Sequence, residues 1–278
     1  MALGPADLVL CAGTLARASL PERIEAAVAG GYRGLSLFPS DVRRARAEGL
    51  DDATLRSLLA DHDLLIAELD PLMSWLPGVD PGTGRFATSE DECYAIAESV
   101  GARSINCVVF SPTPVPQDVL VGSFAALCDR AADHGLLIHL EFMPWTQIAT
   151  VLDALAIVRA ADRPNGGIMF DTWHHFRGPL TNADLVAQVP AERILAVQLN
   201  DAPRRAEPNL VEETLNRRLV PGDGDIDLRE VLRFLRDGGS PAPLGVEVFC
   251  EALLPLKPVD AAVRCAEGVR RVLAATPR

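Results

Sequence analysis

A chain of 278 residues with 49% apolar side chains can bury one large core or two small ones. Its formal net charge of -12 argues against a general nucleic-acid binder, because a phosphate backbone calls for a basic surface. Lys257 is the only lysine, which leaves Schiff-base chemistry one weak candidate.

Strand-like and helix-like segments alternate from the start. DLVLCAG (7–13) reads as a strand, followed by a helix over 20–31 with Pro21 near its start and Gly30–Gly31 ending it. Strands at 34–38, 64–70 and 104–110 alternate with helices at 51–62, 89–102 and 118–135, the second of these opened by a Ser-x-x-Glu cap. The rhythm continues with strands at 136–142, 166–171, 194–200 and 244–249 and helices at 146–161, 182–189, 228–238 and 258–276. Eight such units without a linker predict one domain over 1–278, an α/β fold closed into a (β/α)8 TIM barrel. A doubly wound sheet is the competitor, but CAGTL after the first strand is too poor in glycine for a GxGxxG turn.

The cysteines form no CxxC pair and sit in apolar patterns, so they read as reduced core residues of a cytoplasmic protein. No signal peptide and no membrane span is expected.

Four polar residues lie at the ends of four apolar runs: Glu141 in LLIHLEF, Asp171 in GGIMFD, Gln198 in ILAVQLN and Glu247 in LGVEVF. A carboxylate is costly to bury unless it is paired or binds a metal. Any one of these could be a satisfied core amide, an Arg-paired carboxylate or a turn cap. Together at corresponding strand ends they point to one divalent cation, Mn²⁺ or Mg²⁺ before Co²⁺ or Zn²⁺. His139 shares the face of Glu141 and would orient it, and His174 follows Asp171 closely enough to enter the site. Long connections over 71–88 and 201–227 follow strands, so in a barrel they border the catalytic face. Trp75, Trp145 and Trp173 would line that rim, and Arg85, Arg177 and Arg218 are candidates for holding an anionic substrate group.

The motifs HLEFMPW, MFDTWHHFRG, AVQLND, RLVPGDGDID and GVEVF resemble the xylose isomerase-like TIM-barrel superfamily across essentially the whole chain. That group includes sugar phosphate isomerases/epimerases, ketose 3-epimerases, inosose dehydratases, 3-dehydroshikimate dehydratases and endonuclease IV. The resemblance implies a metal held by Glu141, Asp171, Gln198 and Glu247, with Gln198 where the family often has His. It also implies substrate contacts from His174 and from Arg218 of the R-x-x-P-G-x-G loop. Endonuclease IV activity is set aside by the missing imidazoles and the acidic charge.

The expected activity is metal-dependent isomerisation or epimerisation of a small sugar, sugar phosphate or polyol through an enediolate. Glu141 and Glu247 would exchange the proton and His174 would assist. The alternatives are a dehydratase of a cyclic keto acid or inosose and a non-catalytic ligand-binding barrel. The expected partner is a small molecule, with no nucleic acid and no membrane; the oligomeric state is open, a homodimer being one option.

Overall fold

Short runs rich in Val, Ile and Leu that are buried on both faces belong in a parallel sheet covered by helices. The computed structural model describes residues 2–80, 83–111 and 113–276. Its strands are β1 (Leu8–Leu10), β2 (Gly34–Leu37), β3 (Leu65–Leu72), β4 (Ser104–Cys107), β5 (Leu137–Glu141), β6 (Gly166–Asp171), β7 (Ile194–Leu199) and β8 (Leu244–Val246). They pair in chain order, all parallel, and β8 returns to β1 with Leu8 opposite Leu244. The sheet is therefore closed and has no free edge. This is the expected (β/α)8 barrel.

The outer ring consists of α1 (Leu20–Gly30), α2 (Pro39–Ala47), α3 (Asp52–Asp61), α4 (Glu90–Val100), α5 (Gln117–Asp133), α6 (Val151–Ala161), α7 (Thr172–Arg177), α8 (Asn182–Gln188), α9 (Leu210–Asn216), α10 (Leu228–Asp237) and α11 (Pro258–Ala274). Local chemistry sets many of their ends. Ser19 and Glu22 form a reciprocal capping box on α1, which Gly31 closes in the left-handed conformation at φ 66°. The Ser-x-x-Glu segment does open α4, with Ser89 accepting from the Glu92 amide. α11 packs along α1, and the Tyr32 hydroxyl donates to the Ala262 carbonyl across that seam.

Several expected boundaries shift. The first strand stops at Leu10, and Ala12–Leu15 form a 3-10 turn. The helix expected over 146–161 begins at Val151, because Thr150 caps it through the Asp153 amide and carboxylate. α2, α7 and α9 are short helices inside stretches read from the sequence as loops. None carries more than a few turns of apolar periodicity, so burial against the barrel decides them. No helix among the described residues is long and apolar enough to cross a membrane. All six cysteines are free, and Cys250 is the one that is not fully buried.

Candidate metal centre at the barrel mouth

Because side chains alternate along a strand, the inward-facing residues of β3 to β8 converge inside the barrel. Toward the C-terminal ends this places Asp70, Asn106, Glu141, Asp171, Gln198 and Glu247 in one buried layer. Register supports the convergence: Asp171 is paired with Gln198 across β6 and β7, and Gln198 with Gly245 across β7 and β8. Gly245 carries no side chain where a Cβ would run into the Val197 carbonyl, which lets β8 approach β7 beside Gln198.

Glu141, Asp171 and His174 bring one ligand atom each to within 4.8 Å of one another. The Nε2 of His174 lies 3.4 Å from Oε1 of Glu141. Asp171 is held from several sides. Its Oδ1 accepts the Trp173 and His174 amides at the start of α7, and Asn200 donates to both oxygens. Arg218 donates from Nη1 to Oδ2 of Asp171 at 2.7 Å and to Oε2 of Glu247 at 3.1 Å. Its other nitrogens are fixed on Thr214 of α9. Burial works against the Asp171 charge, but Arg218, His174 and these hydrogen bonds outweigh it and hold the carboxyl below its ordinary range. Glu247 goes the other way: burial and the surrounding Asp70, Asp171 and Glu141 push it well up despite Arg218.

Asp70, at the end of β3, ties the layer together. Its Oδ1 accepts from Asn106 at 2.8 Å and its Oδ2 from Gln198 at 3.1 Å. Asn106 spans to Glu141 with a 2.6 Å bond to Oε2. The Gln198 amide nitrogen is thus committed to Asp70, and its Oε1 is buried without a hydrogen-bond partner. Among the described residues, four buried carboxylates share this mouth with one guanidinium, and two orphaned amide oxygens, Oε1 of Gln198 and Oδ1 of Asn106, stand beside them. The donor set of carboxylate oxygens, one imidazole and a neutral oxygen fits a divalent cation, which would offset the excess negative charge.

Asp70→Asn tests that support directly. An Asn side chain offers one acceptor oxygen instead of two, so Asn106 or Gln198 loses its partner. Divalent-ion affinity, titrated calorimetrically, is expected to fall about 10- to 100-fold. Unchanged affinity would show that the layer needs no such tie.

One layer deeper, Glu68 of β3 and His139 of β5 face each other, with Glu68 Oε2 3.7 Å from His139 Nδ1. Neither ring nitrogen of His139 has a hydrogen-bond partner, and burial lowers its pKa to about 3. Burial pushes Glu68 up to about 8, with Arg103 opposing and Glu141 adding to the rise. A carboxyl raised in the folded state stabilises fully below its unfolded pKa, and that contribution is lost as pH rises toward 8. Unfolding free energy of the protein, relative to Glu68→Gln, is therefore expected to decline between pH 5 and 8 by roughly 1 kcal/mol per pH unit. A pH-independent difference in urea denaturation would contradict this.

Above the carboxylate layer opens a cavity of about 530 Å³. Pro71, Met73 and Phe86 from the 71–88 connection and Val211, Thr214, Leu215 and Arg218 from the 201–227 connection line it, so both long connections border the mouth as expected. Residues 81 and 82 of the first connection lie outside the described residues. The cavity also takes in Asp70, Glu141, Trp145, His174 and Glu247.

Other expected contacts fall elsewhere. Trp75 is buried in the core, donating from its indole to the Val108 carbonyl and packing edge-on to Phe124. Trp173 is fully buried and donates to Glu213, the same carboxylate that holds Arg177. Arg177 therefore serves α9 rather than the cavity. Arg85 lies over the Phe38 ring and lines a neighbouring pocket. His139 lies below the cavity, walled off by the residues above it. Glu247 meets Asp171 through Arg218 and lies outside the compact group of three. Asp70 and Asn106 were not anticipated. The same rule that exposed the other four, a polar residue at the end of an apolar strand, picks out Asp70 in LLIAELD. Asn106 sits inside the run SINCVVF and carries no such signal, because the strand ends at Cys107 rather than at Phe110.

A family profile described as a xylose isomerase-like TIM barrel matches residues 24–271. A 3-dehydroshikimate dehydratase of Pseudomonas aeruginosa is 29% identical over 240 residues, covering 83% of this chain and 36% of the relative. The chain thus spans little more than a third of that relative's length. An inosose isomerase of Bacillus velezensis is 32% identical over 125 residues, 44% of this chain and 43% of the relative. Among solved structures, an IOLI protein with a binding zinc atom superposes with a TM-score of 0.86 at 20% identity, covering 98% of this chain and 99% of the other.

Proposed function

The chain belongs to the xylose isomerase-like TIM-barrel family, and from that premise we propose that it is a divalent-metal-dependent enzyme that moves a proton next to the carbonyl of a small cyclic ketone. The observation that carries this reading is the placement of Glu141 and Glu247 in one cavity beside Asp171 and His174. Glu141, Asp171 and His174 would hold the ion, with the free oxygen of Gln198 completing the set; Mn²⁺ or Mg²⁺ suits the oxygens, and the imidazole also admits Co²⁺ or Zn²⁺. When bound, the ion would supply Lewis-acid stabilisation of charge developing on the substrate oxygen.

The proton falls to Glu247. Arg218 anchors its Oε2, and Oε1 has no hydrogen-bond donor among the described residues. A carboxyl raised by burial is a stronger base once ionised. Glu247 would take the proton from the carbon beside the carbonyl, the C–H electron pair passing into the enolate. Where that carbon bears a hydroxyl, passage of the hydroxyl proton to the former carbonyl oxygen and return of the proton by Glu247 at the former carbonyl carbon give an isomer. Reprotonation of the original carbon from water on its opposite face gives an epimer. Loss of a β-hydroxyl as water, with Glu247 passing the proton it took to the departing oxygen, gives the unsaturated ketone instead. The dehydration branch draws support from the extent of the dehydratase alignment, 83% of the chain against 44% for the inosose isomerase.

The test is NMR in D₂O with Mg²⁺, using an inosose, 3-dehydroshikimate and ketohexoses. Deuterium entering beside the carbonyl with all hydroxyls kept marks isomerisation or epimerisation; water loss marks dehydration. Absence of both with every compound would contradict the proposal and leave a binding barrel.

A further inference from the structure

Resting on that functional reading, we propose that the substrate is a ring ketone with one oxygenated edge and an otherwise apolar carbon face, and that it carries no phosphate. The polarity of the cavity is sharply divided. Its ionisable groups lie at the barrel end, buried and engaged with one another through Asn106, Gln198, Thr214 and Arg218. The surrounding walls are aromatic: Phe38, Phe86, Phe110, Trp145 and Phe249. Phe86 meets Phe38 edge-on at 5.2 Å, and Phe110 stands half exposed.

Such walls discriminate by desolvation. A hydroxyl pressed against an aromatic ring loses its water without gaining a partner, which weakens binding by roughly tenfold for each group so placed. A C–H or unsaturated face gains from the same burial and from the ring faces. A ring hydroxylated on every carbon can satisfy only the hydroxyls at its reacting edge. A ring with hydroxyls confined to that edge loses nothing.

Phosphate finds no uncommitted cation among the described residues lining this cavity. The cavity's one guanidinium among the described residues is Arg218, already bridging Asp171 and Glu247. Of the other candidates from the sequence, Arg177 is held by Glu213, and Arg85 stacks over the Phe38 wall and lines the adjoining pocket rather than the cavity itself. Asp70, Glu141 and Glu247 would repel a dianion.

A matched pair of ring ketones tests this by calorimetry on the Mg²⁺-loaded protein. 2-Hydroxycyclohexanone and 2-keto-myo-inositol offer the same reacting edge and differ in the hydroxyls on the remaining carbons; fructose 6-phosphate supplies the phosphate. The first is expected to bind at least tenfold tighter than the second, and fructose 6-phosphate not measurably. Phe110→Ser should weaken the first severalfold and leave the second unchanged. Equal or tighter binding of the inosose or the sugar phosphate would overturn the proposal, as would failure of both ring ketones to bind at concentrations on the order of 10 mM. Deuterium exchange is read separately: its absence counts against the proton-transfer reading, while the order of affinities still decides the substrate class.

Discussion

Replacing Arg218 with Met is expected to lower the stability of the metal-free protein by about 3–5 kcal/mol, the cost of leaving buried charges without their partner. Among the described residues the guanidinium is the one cation touching both Asp171 and Glu247, at 2.7 and 3.1 Å, and it is buried with them. Met keeps much of the side-chain volume, so the loss reports charge rather than a cavity. A divalent ion should restore part of it, since a ligand present at a hundred times its dissociation constant stabilises by about 2.7 kcal/mol. Urea denaturation in EDTA and in excess Mg²⁺ measures both effects. A metal-free variant as stable as the parent would mean that the two carboxyls are neutral without Arg218.

Glu247→Gln is expected to slow deuterium exchange into a competent ring ketone by about 10²- to 10⁴-fold, the usual worth of a positioned acid or base. Its amide keeps the size of the carboxyl and an oxygen for Arg218, but cannot accept the proton. Because Glu247 lies beyond the compact group of Glu141, Asp171 and His174, the variant should still bind close to one equivalent of metal. Loss of metal together with activity would instead place Glu247 among the ligands, as the family resemblance implies.

The barrel was legible because its strands are short runs of branched apolar residues and its helices carry strong end signals, such as the Ser19–Glu22 box. Glu141, Asp171, Gln198 and Glu247 were legible for a related reason: a polar residue ending a buried strand has few places to go except the barrel mouth. What the chain did not reveal is which partners each polar group finds. Arg218 and Arg177 are equally plausible anion binders by residue type, yet one reaches Asp171 and the other reaches Glu213. That choice depends on α9, a seven-residue helix stabilised by its Asn209 cap and by contacts distant in sequence. The tryptophans misled for a similar reason. Trp75 and Trp173 follow strands, as rim residues do, but their indole nitrogens find the Val108 carbonyl and Glu213 inside the fold.

The central claim is that Glu141, Asp171 and His174 hold one divalent ion, and metal content tests it most directly. Untagged protein equilibrated with Mn²⁺ or Zn²⁺, freed of excess metal and analysed by mass spectrometry should retain about one equivalent. The double variant Glu141→Gln, Asp171→Asn should retain almost none while keeping its helical circular dichroism. A folded double variant that still holds a full equivalent would contradict the account.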